Sequence, residues 1–497
     1  MKSFKLENIK SFRNPVNVEL KPITIFVGKN SCGKSSLLRF PVLIAQTFKE
    51  DVIAPLLLFG NMIDYGNYDD IVNHHKEEPI VFEMDYGVIE LNRYIHRSVM
   101  GRRRVAIDKI MKNYKKISLR TKVNKVNKHL VVQETELFLD ERKLCCIKQT
   151  SSGKYDIAIN SIPSFDKECN LREVNLSFQQ FVPIIEHREI MDEYKKKFEE
   201  SAQIKKVFEK ISRIYDMLED EPRNELEREI YNVYNSLWLI RALYLGLFRK
   251  IMTESEELTY IGPFRENPKR NYRHSESAYK DVGVRGENVS MILRQDVEEK
   301  GHLVNQVSNW FEEAMGCKVA LEDLGSSLFS IMIENADGCK DNIIDTGYGI
   351  SQVIPIVTQL CNNYNAMDRR QMMYYGIRAK RMYILEQPEL HLHPAAQAQL
   401  ADLFVESIIQ NKERKILVET HSEHLIRKLQ VLIADKNIDF SNDQIAIYYV
   451  DKDENGDSYV TRMDIAENGQ FEEEWPSGFF DKSYELTKML VRANRRG

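Results

Sequence analysis

The sequence has few of the features that mark secreted, membrane-bound or metal-clustering proteins. Its seven cysteines are dispersed over 497 residues, and none forms a C-x-x-C pair with histidines at zinc spacing. The most apolar helix-like run, residues 236–248, is too short to span a membrane and contains Arg241. The first 15 residues lack the apolar segment of a signal peptide. These absences predict a cytoplasmic protein with reduced thiols and no membrane association.

A large excess of one charge is also missing. The chain has 70 Lys and Arg against 75 Asp and Glu, which gives a formal net charge of −5. A surface that binds nucleic acid would therefore be confined to one positively charged part of the chain. The length predicts two to four domains with a large core.

The strongest motif lies in residues 23–40, ITIFVGKNSCGKSSLLRF. Residues 23–27 are typical of a buried strand, and the G-x-x-x-x-G-K-S pattern that follows leads into a helix. Such a loop turns backbone N–H groups toward phosphates, and Lys34 is predicted to reach the β- and γ-phosphates of ATP. Ser35 is predicted to bind Mg²⁺. The predicted nucleotide-binding residues here are Gly28, Lys29, Asn30, Ser31, Cys32, Gly33, Lys34, Ser35 and Ser36.

Two later apolar stretches end in polar groups suited to the same site. Residues 382–385 lead to Glu386, whose carboxylate is predicted to bind Mg²⁺ together with Ser35. Residues 415–418 lead to a T-H-S sequence, in which His421 fits a sensor of the γ-phosphate.

A glycine turn, residues 347–352, precedes an apolar helix. It supplies Gly347, Gly349, Ser351 and Gln352 as a second candidate anion site at a helix N-terminus. The alternative is a helix cap with a glycine turn and no ligand.

The order of these motifs resembles that of ABC-type ATPase heads of the SMC, Rad50 and RecF group. The chain is most similar to AAA-family ATPases related to the overcoming-lysogenization-defect family, and residues 260–272, 282–289 and 467–485 match that group as well. The resemblance covers about residues 1–90 and 255–497. It implies an α/β fold, with an ABC/SMC-type P-loop ATPase head, a strand-rich basic lobe and a short helical-hairpin, coiled-coil-like insertion.

The resemblance also implies a mode of action. In this group two heads enclose two ATP molecules, so Gly349, Ser351 and Gln352 would act across a homodimer or a higher assembly. ATP would join the heads, and hydrolysis would part them. We expect no nuclease (Toprim) domain of the kind that many of these proteins carry, because only about 75 residues follow the T-H-S motif. Residues 451–457, DKDENGD, indicate a hairpin turn more than a metal loop.

Gln387 stands where this group often has a glutamate that activates water. An amide does not accept a proton usefully, so general-base catalysis by this side chain is lost. Either Glu389, His421 or a residue of the partner protomer positions the water, or hydrolysis is intrinsically slow. The predicted catalytic residues are Glu386, Gln387, Glu389 and His421.

Two features fill the interval between the half-sites. The range Arg93–Lys128 holds thirteen Lys or Arg and one acidic residue, Asp108. This charge fits three interpretations: a surface that binds nucleic acid, a surface that binds an acidic protein, or a plain solvated face. After this range, apolar residues recur every 3.5 positions, which predicts a helix with one apolar stripe along its face. An earlier apolar stripe over 194–218 predicts a second helix, and the two would form an antiparallel hairpin. The alternative is that both helices pack flat on the core. The later stripe comprises Leu226, Ile230, Val233, Leu237, Ile240, Tyr244, Leu247 and Ile251.

These features predict five segments. Residues 1–90 and 256–465 form the two halves of the ATPase head, 91–186 the basic lobe, 187–255 the helical hairpin, and 466–497 a short tail typical of a subfamily of these ATPases.

The predicted function is that of a slowly hydrolysing, ATP-gated dimeric switch. By resemblance to the ATPase subunits of anti-phage systems such as PARIS and Septu, it controls a separate nuclease or toxin effector in bacterial defence. The alternative is a DNA-maintenance ATPase of RecF or Rad50 type that binds DNA directly.

Overall fold

The computed structural model describes residues 1–73, 78–88, 95, 102–161, 168–187, 189–191, 225–277, 279–299, 301–362, 381–476, 486 and 488–489. The chain divides into two compact units. The first comprises residues 1–19 and 43–256, and the second comprises residues 20–42 and 257–497. These bounds differ from the five predicted segments, whose boundaries stay a prediction.

The first unit is built on an eight-stranded antiparallel sheet. Its strand order is β2-β1-β4-β5-β6-β7-β8-β9, and a separate pair, β10 and β11, accompanies it. Alternating burial along β8 fits a sheet with one covered face. The strands are β1 (Ser3–Glu7), β2 (Val16–Glu19), β4 (Ile80–Gly87), β5 (Lys116–Val126), β6 (His129–Leu139), β7 (Arg142–Gln149), β8 (Tyr155–Ile159), β9 (Cys169–Val174), β10 (Ser177–Gln179) and β11 (Val182–Ile184).

A 32-residue helix, α5 (Glu225–Glu256), packs in the first unit against β9 and β11. The shorter helices in the same part of the chain are α2 (Phe40–Lys49), α3 (Tyr68–Ile71) and α4 (Arg102–Met111). The seven positions of the later apolar stripe whose side chains are described, from Ile230 to Ile251, are all buried in this unit. The described part of that stripe is therefore covered within this unit. The earlier stripe over 194–218 lies outside the described residues, so the helical hairpin and its alternative of flat packing both stay predictions.

The second unit contains the six-stranded sheet that positions the site. Its order is β12-β17-β18-β3-β19-β20, with the first five strands parallel and β20 antiparallel to β19. Strands β3 and β17 are buried at every position, as parallel strands covered on both faces should be. The strands are β3 (Ile23–Gly28), β12 (Leu258–Ile261), β17 (Met382–Glu386), β18 (Lys415–Glu419), β19 (Ile445–Lys452) and β20 (Ser458–Met463).

Helices and a smaller sheet complete the second unit. The sheet pairs β13 (Tyr272–Arg273), β14 (Cys317–Gly325), β15 (Leu328–Asn335) and β16 (Lys340–Asn342). The helices are α1 (Lys34–Leu38), α6 (Val289–Glu299), α7 (His302–Met315), α8 (Tyr348–Cys361), α9 (Pro394–Gln410) and α10 (Glu423–Ala434). Among the described residues, no helix combines the length and apolarity that a membrane crossing needs.

The predicted α/β class is confirmed, and so is the hairpin turn at residues 451–457, which joins β19 to β20. Strands β1 and β2 belong to the antiparallel sheet of the first unit rather than to the sheet that carries the phosphate loop.

Candidate nucleotide-binding site

The phosphate loop joins β3 to α1. Gly28 is the last residue of β3 and has a φ of +143°. A Cβ atom at this position would lie 2.0 Å from the carbonyl oxygen of Val450 on β19. Ser31 and Gly33 both adopt left-handed backbone conformations, with φ values of 60° and 97°. Turns of this kind direct neighbouring N–H groups into one concavity that suits an anion. Only glycine fits at position 28, since any side chain would meet the backbone of β19.

Lys34 lies inside this loop with 3% of its surface exposed. Its Nζ donates to the carbonyl oxygens of Gly28 at 3.1 Å and Lys29 at 2.6 Å. Burial lowers the pKa of the ammonium group, while the nearby Glu419 opposes that change. The lysine is thus held at the place where the motif assigns the phosphates.

The strand order brings two carboxylates together beside the loop. Glu386 ends β17 and Glu419 ends β18, and the parallel register makes them direct neighbours. Strand β18 also pairs with β3, which ends in the phosphate loop. Ser35 Oγ donates to Glu419 Oε2 at 2.6 Å. Burial raises the pKa of Glu419.

Glu386 is held by an arginine and a tyrosine. Arg39 donates to both of its oxygens, from Nε at 2.5 Å and from Nη2 at 2.8 Å, and Tyr260 Oη donates at 2.6 Å. The predicted metal ligands Ser35 and Glu386 are therefore brought to one edge of the sheet, but the acid that Ser35 contacts is Glu419. Reasoning from the sequence missed Glu419, although the two strands share the pattern of an apolar run that ends in an acid.

The turn after β17 is fixed through its backbone. Gln387 adopts a left-handed conformation with φ 43°, and its N–H donates to the carbonyl oxygen of Glu419 at 2.8 Å. Arg265 donates to the carbonyl oxygens of Glu386 at 2.6 Å and Gln387 at 3.2 Å. Burial lowers the pKa of Arg265 to about 10. Arg265 belongs to the 260–272 stretch and was not among the predicted site residues.

Glu389 and His421 meet at the same edge. Glu389 Oε1 accepts a hydrogen bond of 2.6 Å from the backbone N–H of His421. The other oxygen, Oε2, is buried and has no hydrogen-bond partner among the described residues. Burial raises the pKa of Glu389. Burial, with Lys34 nearby, lowers the pKa of His421 to about 4, so the imidazole is neutral at physiological pH.

The glycine turn of residues 347–352 opens α8 in the same unit. Gly347 is its exposed N-cap, whereas Gly349, Ser351 and Gln352 are buried. Ser351 Oγ donates to the carbonyl oxygen of Tyr348 at 2.9 Å, and a Cβ at Gly349 would lie 2.6 Å from the carbonyl oxygen of His391. The turn thus packs on the segment that follows β17. Its action across a dimer stays a prediction.

A family model described as "AAA ATPase domain" matches residues 1–426, which is most of the chain. The chain belongs to the AAA ATPase domain family. A second family model, described as "Protein of unknown function (DUF3696)", matches residues 440–490. No curated protein matches the sequence of this AAA ATPase.

Solved head domains of SMC proteins are similar to this AAA ATPase. The SmcHead bound to the C-winged helix domain of ScpA shares 12% identity over 93% of this chain and 97% of its own, with a TM-score of 0.41. The Pyrococcus furiosus Smc head domain with an extended coiled coil, bound to the C-terminal domain of ScpA, shares 14% identity over 99% of each chain, with a TM-score of 0.38. The SMC head domain from Thermotoga maritima shares 9% identity over 93% and 99%, with a TM-score of 0.33.

The donor set of the AAA ATPase fits a magnesium ion. Ser35 offers a hydroxyl oxygen and Glu419 a carboxylate, the hard ligands that Mg²⁺ prefers, and Glu386 lies beside Glu419 with its oxygens engaged by Arg39 and Tyr260. The partnerless buried oxygen of Glu389 adds a further acceptor at this edge. A bound Mg²⁺ would neutralise the phosphate charge. Lys34 and the loop N–H groups would orient the phosphates, while the neutral His421 would be available for hydrogen bonding.

The basic stretch lies in the first unit, and many of its described charges are paired. Four basic residues of β5 have acidic neighbours within 4.0 Å: Lys116 with Asp85 and Glu141, Arg120 with Glu7 and Glu136, Lys122 with Glu134, and Lys125 with Asp69. The local positive charge of this strand is therefore smaller than the count of Lys and Arg suggests. Arg93 and Arg97 lie outside the described residues, and nucleic-acid binding stays a prediction.

Proposed function

We propose that this AAA ATPase binds ATP with Mg²⁺, hydrolyses it slowly and acts as a nucleotide-gated dimeric switch for a separate effector protein. One observation carries the proposal. Residues hundreds of positions apart, Lys34 and Ser35 on one side and Glu386 and Glu419 on the other, converge at the carboxyl ends of adjacent parallel strands. That edge is where open α/β sheets bind their ligands.

Slow turnover is proposed because of the amide at Gln387. Phosphoryl transfer depends chiefly on positioning and on charge neutralisation, so the lack of a base lowers the rate without abolishing it. We propose that Glu389 assists, because its oxygen Oε2 is buried without a hydrogen-bond partner among the described residues. We expect a turnover below about 10 s⁻¹, the median for enzymes, from the purified protein alone.

The switch function in anti-phage defence is supported by the motif order and by the resemblance to ATPase subunits that work beside a toxic or nuclease protein. The glycine turn provides the surface for closure, since Gly347 and Tyr348 are exposed at the start of α8. The ion-paired strand β5 gives less support to direct DNA binding, so the DNA-maintenance alternative is not preferred.

The test starts from nucleotide binding and turnover. Calorimetry with ATP and Mg²⁺ should show binding by the wild type and at least a 100-fold loss in Lys34→Ala, because two or more charge-assisted contacts of about 1.5–3 kcal/mol disappear. Glu454→Gln, an exposed acid in the β19–β20 turn, is the control for a change of charge and should bind normally. Equal affinity of wild type and Lys34→Ala contradicts the nucleotide site.

The effector function needs a cellular readout. Cells that express this ATPase with its neighbouring gene are challenged with phage, and Lys34→Ala should remove the protection. Protection that persists in Lys34→Ala cells contradicts control by the nucleotide.

A further inference from the structure

The hydroxyl group of Ser35 is oriented by a residue outside the acidic motif. Its Oγ donates to Glu419 Oε2 at 2.6 Å, and Glu419 is only 4% exposed. A serine hydroxyl has one proton to donate and two lone pairs. With the proton directed at Glu419, the lone pairs of Ser35 are left for a cation.

Glu386, the acid that the motif assigns to the metal, is engaged by cationic and phenolic groups. Arg39 takes both oxygens and Tyr260 donates to one of them. The Glu386 side chain is 3% exposed, so its charge is balanced chiefly by the arginine rather than by solvent. A cation near Ser35 would therefore meet an acid that is already paired.

Glu419 supplies a second negative charge at the same edge. Its Cα is the direct partner of Glu386 in the parallel register, and its backbone oxygen accepts the N–H of Gln387. Where Gln387 contributes a neutral amide, the neighbouring strand contributes a carboxylate. The backbones of the two residues are thus joined by a hydrogen bond, and one carries an amide side chain while the other carries a carboxylate.

We propose that Glu419 is a metal-positioning residue, which holds the Ser35 hydroxyl in the orientation that binds Mg²⁺. This inference rests on the proposed binding of ATP with Mg²⁺. Carboxylates that orient metal ligands typically change metal affinity by about 10–100-fold when they are replaced.

The test separates metal binding from nucleotide binding. Mn²⁺, a spectroscopic substitute for Mg²⁺, is titrated into the protein with ATP and followed by electron paramagnetic resonance. ATP affinity is measured in parallel by calorimetry with EDTA and at increasing Mg²⁺. We expect Glu419→Gln to weaken Mn²⁺ binding by about 10–100-fold and to leave the metal-free ATP affinity within about twofold, since Lys34 and the loop are unchanged.

A double-mutant cycle tests whether Glu419 affects metal binding through Ser35. Ser35→Ala and Glu419→Gln act through one contact, so the double variant should lose little more Mn²⁺ affinity than Ser35→Ala alone. Full additivity of the two losses overturns the proposal, because Glu419 would then act independently of Ser35. Glu454→Gln, the exposed control, should bind Mn²⁺ and ATP as the wild type does.

Two other outcomes distinguish a failure of this inference from a failure of the proposed function. Unchanged Mn²⁺ affinity in a folded Glu419→Gln protein overturns the inference while the proposed function stands. A wild type that binds no ATP overturns the proposed function and, with it, this inference. If Glu419→Gln does not fold by circular dichroism, Glu419→Asp is used, which keeps the charge and withdraws it from Ser35. A loss of Mn²⁺ affinity then supports the proposal, and no loss overturns it.

Discussion

Arg39 and Glu386 form a two-pronged ion pair beside the phosphate loop, with Nε–Oε1 at 2.5 Å and Nη2–Oε2 at 2.8 Å. The carboxylate side chain is 3% exposed and the arginine 28%. A buried carboxylate without a counter-charge destabilises the folded protein. The ion pair therefore neutralises Glu386 and also holds the end of β17 in place.

Replacement of Arg39 should therefore destabilise the protein. For Arg39→Ala we expect the free energy of unfolding to fall by about 1–3 kcal/mol, below the range for fully buried pairs because the arginine is partly solvated. Urea unfolding at neutral pH measures the change. The control is Arg427→Ala, which breaks an exposed pair with Glu423 and should cost less than about 0.5 kcal/mol. Equal losses in the two variants would contradict the importance of burial at Glu386.

Gly28→Ala should disrupt the phosphate loop. The added Cβ would lie 2.0 Å from the Val450 carbonyl oxygen, and the φ of +143 is unfavourable for alanine. We expect a loss of about 2 kcal/mol or more in unfolding free energy, together with weaker ATP binding, since β3 and β19 must separate.

Gly347→Ala is the matched control for that substitution. Nothing lies within 4 Å of a Cβ at Gly347, and its φ of −62 suits any residue. Its cost should remain below about 1 kcal/mol, the scale of an altered helix N-cap. Thermal unfolding of both variants, followed by circular dichroism, decides the comparison. Similar losses in the two would show that the contact with Val450 is relieved by backbone movement.

The sequence predicts the parts of this site that depend on local pattern. The sequence predicts a buried strand over 23–27 before the loop, and β3 spans Ile23–Gly28. It likewise predicts a strand before Glu386, and β17 ends at that residue. Both runs are apolar throughout and stop at a glycine or an acid, so neighbouring residues alone are enough to identify them.

The partners of the site residues could not be predicted in the same way. Ser35 and Glu419 are 384 positions apart, and Arg39 and Glu386 are 347 apart. Their contacts depend on the placement of β18 between β17 and β3, which is a property of strand order rather than of any local pattern.

The same limit applies to α5. A stripe repeating every 3.5 residues indicates a buried helix face, but it does not specify whether a partner helix or a sheet covers that face. The side chains of Leu237 and Leu247 are fully buried in the first unit, where the helix contacts β9 and β11.

Acid should weaken the folded state through His421. Burial and Lys34 lower the pKa of this imidazole to about 4, from an ordinary value of 6.5. Between these values the unfolded chain binds the proton and the folded protein does not, so stability falls as the pH drops from 6.5 toward 4. Compared with His421→Gln, which has no titrating group there, the wild type should lose stability over this interval.

The measurement is urea unfolding of both proteins at pH 8.5, 7.5, 5.5 and 4.5. The difference in unfolding free energy should be constant at the two higher values, where the histidine is neutral in both states, and should shift against the wild type at the two lower ones. A difference that does not change with pH would contradict the burial of an uncharged imidazole.

Closure of two heads should depend on the exposed start of α8. Gly347 has open space around it, so Gly347→Arg adds a long cation at the surface without disturbing the packing of its own unit. Buried Ser351 is a less informative position, because an arginine there would also damage the core. We expect Gly347→Arg to bind ATP with wild-type affinity and to fail to dimerise.

Light scattering with size-exclusion chromatography, in Mg²⁺ and a non-hydrolysable ATP analogue, measures that outcome. The wild type should double its mass with the nucleotide, while Gly347→Arg should remain a monomer because the added cation occupies the space that a second head needs. Asn455→Arg, at an exposed position of the turn between β19 and β20, controls for an added surface charge and should still dimerise. Normal dimerisation of Gly347→Arg would remove the glycine turn from the interface, whereas failure of both variants would attribute the effect to charge alone.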